Sequence, residues 1–343
     1  MPRHGPAVCF WAWSAFARVY GQHLNEVTMT DFQRALVLMN PAAGQHNPAE
    51  TRALIEQRFA RAQIAYEIRE TREAGDALRW AQQAAGDGFD LVIVSGGDGT
   101  IMEAMSGLVK GGGTVPLAQL PAGTANLLAR ALGIPTDQAE ALETVFSGKP
   151  VRLDVGYLPR EDRYFALVAG AGYDARLIGD ASRELKNALG FGAYVVTGIK
   201  NLFTLRPARI ELEVDGKLLR LRAHTVMIIN VGEIDAANVA LGPDIHPHDG
   251  KLDLMIMSSA SLLGALRLAL RILTRRFDDT QGLRYMSASR IRVSARSPLP
   301  TQLDGEQLGT TPLEVEAVPG GALLIVPQAY TRADEAPALS IAV

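Results

Sequence analysis

Between residues 34 and 133, short apolar runs alternate with stretches whose apolar positions recur every three to four residues. Residues 35–39 (ALVLM) form an unbroken apolar run that stops at Asn40-Pro41, and residues 48–63 then carry apolar side chains at a helical period. The same reading predicts strands over 65–70, 91–95 and 115–120, and helices over 77–88, 101–112 and 127–133. Strand and helix in alternation need crossover connections, so this part is expected to hold a largely parallel sheet covered on both faces. From about Arg152 the texture changes to short runs with a period of two: 151–158, 163–170, 208–216, 218–231, 252–257, 290–295, 313–318 and 323–326. Asp215-Gly216 between two of these runs is a hairpin signal. An antiparallel sandwich or barrel is expected here, interrupted by helical inserts near 181–203 and 261–277. No internal repeat or low-complexity linker is visible, and the Ala/Pro-rich tail from Thr331 reads as loose.

A length of 343 residues, of which 48% are apolar, suits two domains with sizeable cores. The net charge of −3, without a basic stretch, argues against a nucleic-acid partner. The single cysteine, Cys9, excludes an internal disulfide framework and fits a reducing compartment. No apolar run reaches the roughly 18 residues of a membrane-spanning helix. Residues 7–20 are apolar and aromatic after Arg3 and His4, and three readings fit them. They form a signal peptide with small residues around Ala15-Phe16-Ala17, an interfacial anchor, or an untranslated stretch ahead of a start at Met29.

Three predicted strands each run into a loop containing glycine: Asn40-Pro41-Ala42-Ala43-Gly44, Gly96-Gly97-Asp98-Gly99-Thr100 and Pro121-Ala122-Gly123-Thr124-Ala125-Asn126. In a parallel sheet such loops gather at the carboxyl ends of the strands, where ligands bind. Glycine lets backbone N–H groups approach an anion closely, and Thr100 and Thr124 add hydroxyl donors. The helix after Gly99 would aim its positive end at a phosphate. One such loop is usually only a turn, whereas three on one edge read as a nucleotide site. The chain has no G-x-x-x-x-G-K-[ST] loop. The G-x-G-x-x-A match at residues 170–175 lies in the β-rich half, with no acid-ended strand at the right distance to support a dinucleotide site.

The combination NPAAG, GGDGT, PAGTAN and a late Asp304-Gly305-Glu306 resembles the diacylglycerol kinase-like lipid kinases, a family that includes bacterial lipid kinases, sphingosine kinases and ceramide kinases. The resemblance covers roughly residues 34–327, and residues 185–202 look like that family's Gly-Ala-Tyr helix. It implies an α/β plus all-β fold: an NAD kinase-like α/β nucleotide-binding domain, then a β-sandwich domain, with ATP in the cleft between them. The expected division is an N-terminal extension over 1–33, the nucleotide-binding domain over 34–151, the lipid-substrate sandwich over 152–327 and the tail over 328–343. The resemblance further implies that Asn40 and Gly44 line the nucleotide site and that Gly96, Gly97 and Gly99 cradle phosphates beside Thr100. Gly123, Thr124 and Asn126 would hold the nucleotide from the third loop. Asp98 and Glu306 would divide the work of catalytic base and metal support, with ATP and Mg2+ as the implied cofactors. Read without the family, Asp98 is a helix-capping acid and Asp304-Gly305-Glu306 an ordinary β-turn.

The sequence departs from the family in two places. Leu127 follows Asn126 where the family often has aspartate. Residues 243–254 resemble a loop that binds a structural Mg2+ in some bacterial members. Asp249 matches one ligand and Lys251 would give a carbonyl, but His246 stands where an oxygen ligand is expected. Asp174 matches a position near the acceptor hydroxyl in sphingosine kinases, and Asp154 aligns with another family acid. Residues 262–277 place Arg267, Arg271 and Arg275 at four-residue spacing opposite Leu262, Leu266, Leu270, Leu273 and Phe277. Such a helix lies on an anionic membrane or packs on its own domain with arginines in water. The expected function is an ATP-dependent kinase acting on a hydroxyl of a membrane lipid, cytoplasmic and transiently at the inner face of the membrane, with a homodimer left open. The alternatives are an NAD kinase-like enzyme with a soluble substrate and a non-catalytic nucleotide- or lipid-binding protein of the same fold.

Overall fold

A computed structural model of the chain describes residues 32–44, 46–172, 207–234, 239–242, 245–258 and 282–331. The first part runs β1 (Arg34–Met39), α1 (Pro48–Ala62), β2 (Ala65–Glu70), α2 (Asp76–Gln83), β3 (Leu91–Gly96), α3 (Asp98–Lys110), β4 (Leu117–Pro121), α4 (Leu127–Ala131) and α5 (Gln138–Ser147). The apolar runs of β1 and β3 lie side by side in the middle of the sheet, flanked by β2 and β4, all parallel. Ile55 and Phe59 of α1 and Ile101 and Met105 of α3 close over them. Asn47 starts α1 by accepting from Ala49 N at 3.0 Å, with Pro48 in the first turn. Helix α3 begins at Asp98, three residues before the sequence suggests, so Gly99 and Thr100 sit in its first turn and not in a loop. Helix α5 carries no counterpart in the sequence reading. Asp137 caps it through Ala139 N and Glu140 N, and Ala141, Leu142 and Val145 are its buried face.

The second part comprises β5 (Lys149–Leu158), β6 (Arg163–Phe165), β7 (Val168–Gly172), β8 (Ala208–Val214), β9 (Lys217–Ala223), β10 (Thr225–Ile229), β11 (Glu233–Ile234), β12 (Val239–Ala240), β13 (Leu252–Met257), β14 (Leu283–Ala288), β15 (Arg290–Ala295), β16 (Pro300–Leu303), β17 (Glu306–Thr310) and β18 (Leu313–Val326). Among the described residues the strands form a ten-stranded sheet, with β2-β1-β3-β4-β18-β15-β8-β9 in order and β5 joined to β18 and β6. A six-stranded antiparallel sheet runs β14-β13-β10-β7-β16-β17, and β11 pairs with β12. Ile210, Leu212, Ile291, Val293 and Val315 of the large sheet pack against Val226, Ile228, Leu252 and Leu254 of the small one, which makes the sandwich. The α/β plus all-β class is therefore the observed one. Four of the alternating runs are divided or joined differently from expectation. Residues 163–170 form two strands, and residues 218–231 change sheet at His224. Residues 313–326 are one strand, bulged between Val318 and Ala322.

Candidate active site

The three glycine-containing loops sit together at the carboxyl ends of β1, β3 and β4, and they are tied to one another. Asn40 Nδ2 donates to Thr100 Oγ1 at 2.9 Å, while Asn40 Oδ1 accepts from Ala42 N at 3.0 Å, so one side chain shapes the first loop and fastens it to the second. A Cβ on Gly96 would stand 2.8 Å from Thr100 Cβ, and one on Gly123 would stand 2.6 Å from Gly97 Cα. The second and third loops therefore pass backbone against backbone, and side chains are excluded there. Asn126, with a left-handed φ of 48°, exchanges two 2.9 Å hydrogen bonds with Gly123 and closes the third loop on itself. Gln138 of α5 anchors that loop from behind, donating to Pro121 O at 2.6 Å. Among the described residues no side chain caps α3 at Gly97, which leaves its first N–H groups at the loop cluster. Gly44, Gly99 and Thr124 are exposed on this surface.

Asp98 is the first residue of α3, and its carboxylate reaches across to the start of α4, where Leu128 N donates to Oδ1 at 3.3 Å. Burial pushes the Asp98 carboxyl above the usual carboxylate range, and the N–H groups of Leu127, Leu128 and Asn126 pull it back. Glu306 arrives from the far sheet. It follows the Asp304-Gly305 turn, both residues left-handed at φ 44° and 93°, and opens β17. Its Oε1 lies 3.8 Å from the place a Gly99 Cβ would occupy, and its Oε2 pairs with Arg163 Nη2 at 3.3 Å. Asp98 and Glu306, more than two hundred positions apart in sequence, thus face one helix N-terminus from two sides.

Three neighbours complete the arrangement. Asp304 Oδ1 accepts from Leu167 N at 3.2 Å and Val168 N at 2.9 Å, and its own N–H donates to Val168 O at 2.8 Å. Its Oδ2 is buried with no hydrogen-bond partner among the described residues. Burial pushes this carboxyl up to about 7, the two amides oppose the shift, and the Asp98 charge adds to it. Glu103, farther along α3, accepts from Gly75 N at 3.0 Å and so ties the start of α2 to α3. Burial raises its pKa, the Glu306 charge raises it further, and Arg163 counters. Asp304 was legible as an acid of the Asp304-Gly305-Glu306 turn, whereas Glu103 lies inside the helical run over 101–112 with nothing to set it apart. Arg163, in a three-residue strand, carried no signal.

The remaining candidates fall elsewhere. Asp154 is 2% exposed, and both its oxygens are taken: Oδ1 by Gly320 N and Oδ2 by Gly250 N, each at 2.7 Å. It braces β5 to the β18 bulge. Asp249 Oδ1 accepts from Lys251 N at 2.9 Å, and His246 is half-buried nearby in the chain. Among the described residues no group of three or more His, Cys, Asp or Glu side chains forms a ready metal cage, at this loop or at the cleft. The hard oxygens of Asp98 nonetheless suit Mg2+, which is commonly held by one or two carboxylates and by the phosphates of its nucleotide. Asp174, the 185–202 segment, and Arg267, Arg271 and Arg275 lie outside the described residues. Among the described residues no helix is long and apolar enough to cross a membrane.

Residues 34–158 match the diacylglycerol kinase catalytic domain. Residues 167–326 match the YegS C-terminal NAD kinase beta sandwich-like domain. Diacylglycerol kinase of Bacillus subtilis is 35% identical over 283 residues, covering 82% of this chain and 92% of that protein. Lipid kinase YegS of Escherichia coli K12 is 28% identical over 294 residues, covering 85% and 95%. A crystal structure from Bacillus anthracis str. Sterne assigned to the diacylglycerol kinases superposes with a TM-score of 0.76 at 27% identity, over 88% of this chain and 99% of that one.

Proposed function

The chain belongs to the diacylglycerol kinase family of lipid kinases, and from that premise we propose that it transfers the γ-phosphoryl group of ATP to a hydroxyl of a membrane lipid. The observation that carries the reading is the Glu306 carboxylate standing over Gly99 at the N-terminus of α3. The uncapped N–H groups of that helix receive phosphate oxygens. The lipid hydroxyl oxygen forms the new bond to the γ-phosphorus as the bond to the β,γ-bridging oxygen breaks, and ADP leaves. The hydroxyl proton passes to Glu306, which is exposed, whereas the Asp98 carboxylate is half-buried and turned toward the amides of α4. Asp98 is thereby the better placed of the two to fix the second and third loops and to support Mg2+. Mg2+ bound there supplies neutralisation of the charge on the phosphate oxygens.

The test is a transfer assay with the full chain, Mg2+, γ-labelled ATP and vesicles carrying diacylglycerol, a sphingoid base or ceramide, run beside NAD. Label is expected in a lipid. Glu306→Gln is expected to lower kcat by on the order of 100-fold or more with the melting temperature unchanged. Asp98→Ala is expected to abolish transfer. Label in NAD alone would move the chain to soluble substrates, and no transfer to any acceptor would end the proposal.

A further inference from the structure

The loops around the candidate phosphate site are short of positive charge. Residues 40–44, 96–100 and 121–126 contain no Lys, Arg or His, while Asp98, Glu103, Asp304 and Glu306 surround the same helix end. A triphosphate bearing several negative charges needs cations there, and one divalent ion offsets only two of them. Among the described residues, two guanidinium groups act on these carboxylates. Arg130 acts on Asp98, but its Nε is committed to Ala125 O at 2.8 Å, inside the third loop. Arg163 acts on both Asp304 and Glu103 and pairs with Glu306 at 3.3 Å.

We propose that Arg163 is a further catalytic residue: it leaves Glu306 when nucleotide docks and binds the oxygens of the γ-phosphoryl group. The inference rests on the kinase reading above. Its physical basis is the weakness of the resting pair. The Arg163 and Glu306 side chains are 45% and 63% exposed, and pairs so exposed contribute about 0–1 kcal/mol. A phosphoryl group, by contrast, accepts the planar guanidinium fork through two charge-assisted hydrogen bonds. The exchange therefore runs toward phosphate, and it frees the Glu306 carboxylate from Arg163 at the moment the phosphoryl group is in place. Strand β6 suits this role. It is held to β5 from Gly156 to Leu158 and lies against α3, where Ser106 Oγ donates to Tyr164 O at 3.5 Å, so the Arg163 backbone is fixed while its side chain is free to turn.

The experiment compares Mg2+-dependent binding of ADP and of a non-hydrolysable ATP analogue by titration calorimetry, together with steady-state kinetics, in the wild-type chain, Arg163→Ala, Arg163→Lys and, as a remote control, Arg222→Ala. Arg163→Ala is expected to weaken the ATP analogue about tenfold or more while changing ADP by less than about threefold, because the contact is to the γ-phosphoryl group. It is also expected to lower kcat/KM for ATP by on the order of 100-fold, with Arg163→Lys recovering part of the loss and Arg222→Ala matching wild type. Equal weakening of both nucleotides overturns the proposal, as does a fall in kcat with both affinities intact, which would make Arg163 only a holder of Glu306. A wild-type chain that binds neither nucleotide removes the kinase reading itself, and this inference with it. The melting temperature of each variant accompanies the titration, and an exposed pair predicts little change.

Discussion

A buried carboxyl oxygen without a hydrogen-bond partner costs stability, and Asp304 has one among the described residues. Two backbone amides hold its Oδ1, which fixes the turn that delivers Glu306, but Oδ2 is buried without a hydrogen-bond partner among the described residues and feels the Asp98 charge. Protonation relieves that strain, which is why burial lifts this carboxyl to about 7. The consequence for stability has a definite sign. The unfolded chain releases this proton near pH 4, whereas the folded chain keeps it until about pH 7. Between those values the folded state binds more protons, so the contribution is fully present below about pH 4 and is lost as pH rises to 7. It amounts at most to on the order of 4 kcal/mol. Asp304→Asn keeps an acceptor for the Leu167 and Val168 amides and removes the titration. Urea unfolding in metal-free buffer at steps from pH 5 to 8 is expected to show a shallower decline for the variant than for the wild-type chain. Parallel declines would mean that Asp304 is already ionised at pH 5. None of this was legible at the level of the motif. The acid in Asp304-Gly305-Glu306 could be read, but its isolation is created by residues 136 and 137 positions away.

Helix α3 carries the site at one end and a packing seam along its length. A Cβ on Gly107 would stand 2.2 Å from Leu78 O and 3.0 Å from Ala81 Cβ, and one on Gly111 would stand 2.6 Å from Gln82 O. Helix α2 therefore rests on glycine backbone, and its start is fastened by Glu103 to Gly75 N. Gly107→Ala sets two effects against each other. Alanine favours an isolated helix by about 1 kcal/mol over glycine. A methyl pressed against a carbonyl oxygen in a packed seam costs about 1–3 kcal/mol or more. The clash wins, so the urea midpoint is expected to fall, and a midpoint that rises would show that α2 can retreat freely. The elements themselves were legible wherever one period ran uninterrupted, as in β1, α1 and β3. They were misread where chemistry cut across the period. The glycines of residues 96–100 look like a loop, yet Gly97 and an acid in the first turn also start a helix, and the dipole favours the acid. The alternation of residues 218–231 continues through His224 because both halves are strands. Only hydrogen bonding shows that β9 and β10 belong to different sheets.

Over the whole molecule, β18 determines whether the two halves can exist apart. It pairs with β5 from Glu316 opposite Tyr157 to Val326 opposite Lys149, joins β15 through Leu313–Glu316, and meets β4 in parallel where Leu324 lies beside Leu117. One strand thus completes the nucleotide-binding sheet with its second half and the sandwich with its first. Its bulge is clamped at Gly320, which donates to Asp154 Oδ1 at 2.7 Å and accepts from Arg152 Nη1 at 3.0 Å. Leu313, Val315, Leu323, Leu324, Ile325 and Val326 are all buried. At roughly 1.5–3 kcal/mol each, they match or exceed the ~5–15 kcal/mol by which domains are usually stable. A chain ending at Pro312 retains all three loops, Asp98, Arg163 and Glu306, yet leaves the edge of β4 unpaired and the sandwich core open. It is expected to show no cooperative urea transition, to bind a hydrophobic dye, and to bind no nucleotide, whereas a chain ending at Thr331 unfolds like the full chain. The loops would be present in both, so their difference measures what the last strand does for the first three. A cooperative transition and intact ATP binding in the chain ending at Pro312 would show that the parallel sheet holds the phosphate loops unaided. The cleft would then be a junction of two independent bodies and not a product of one shared strand.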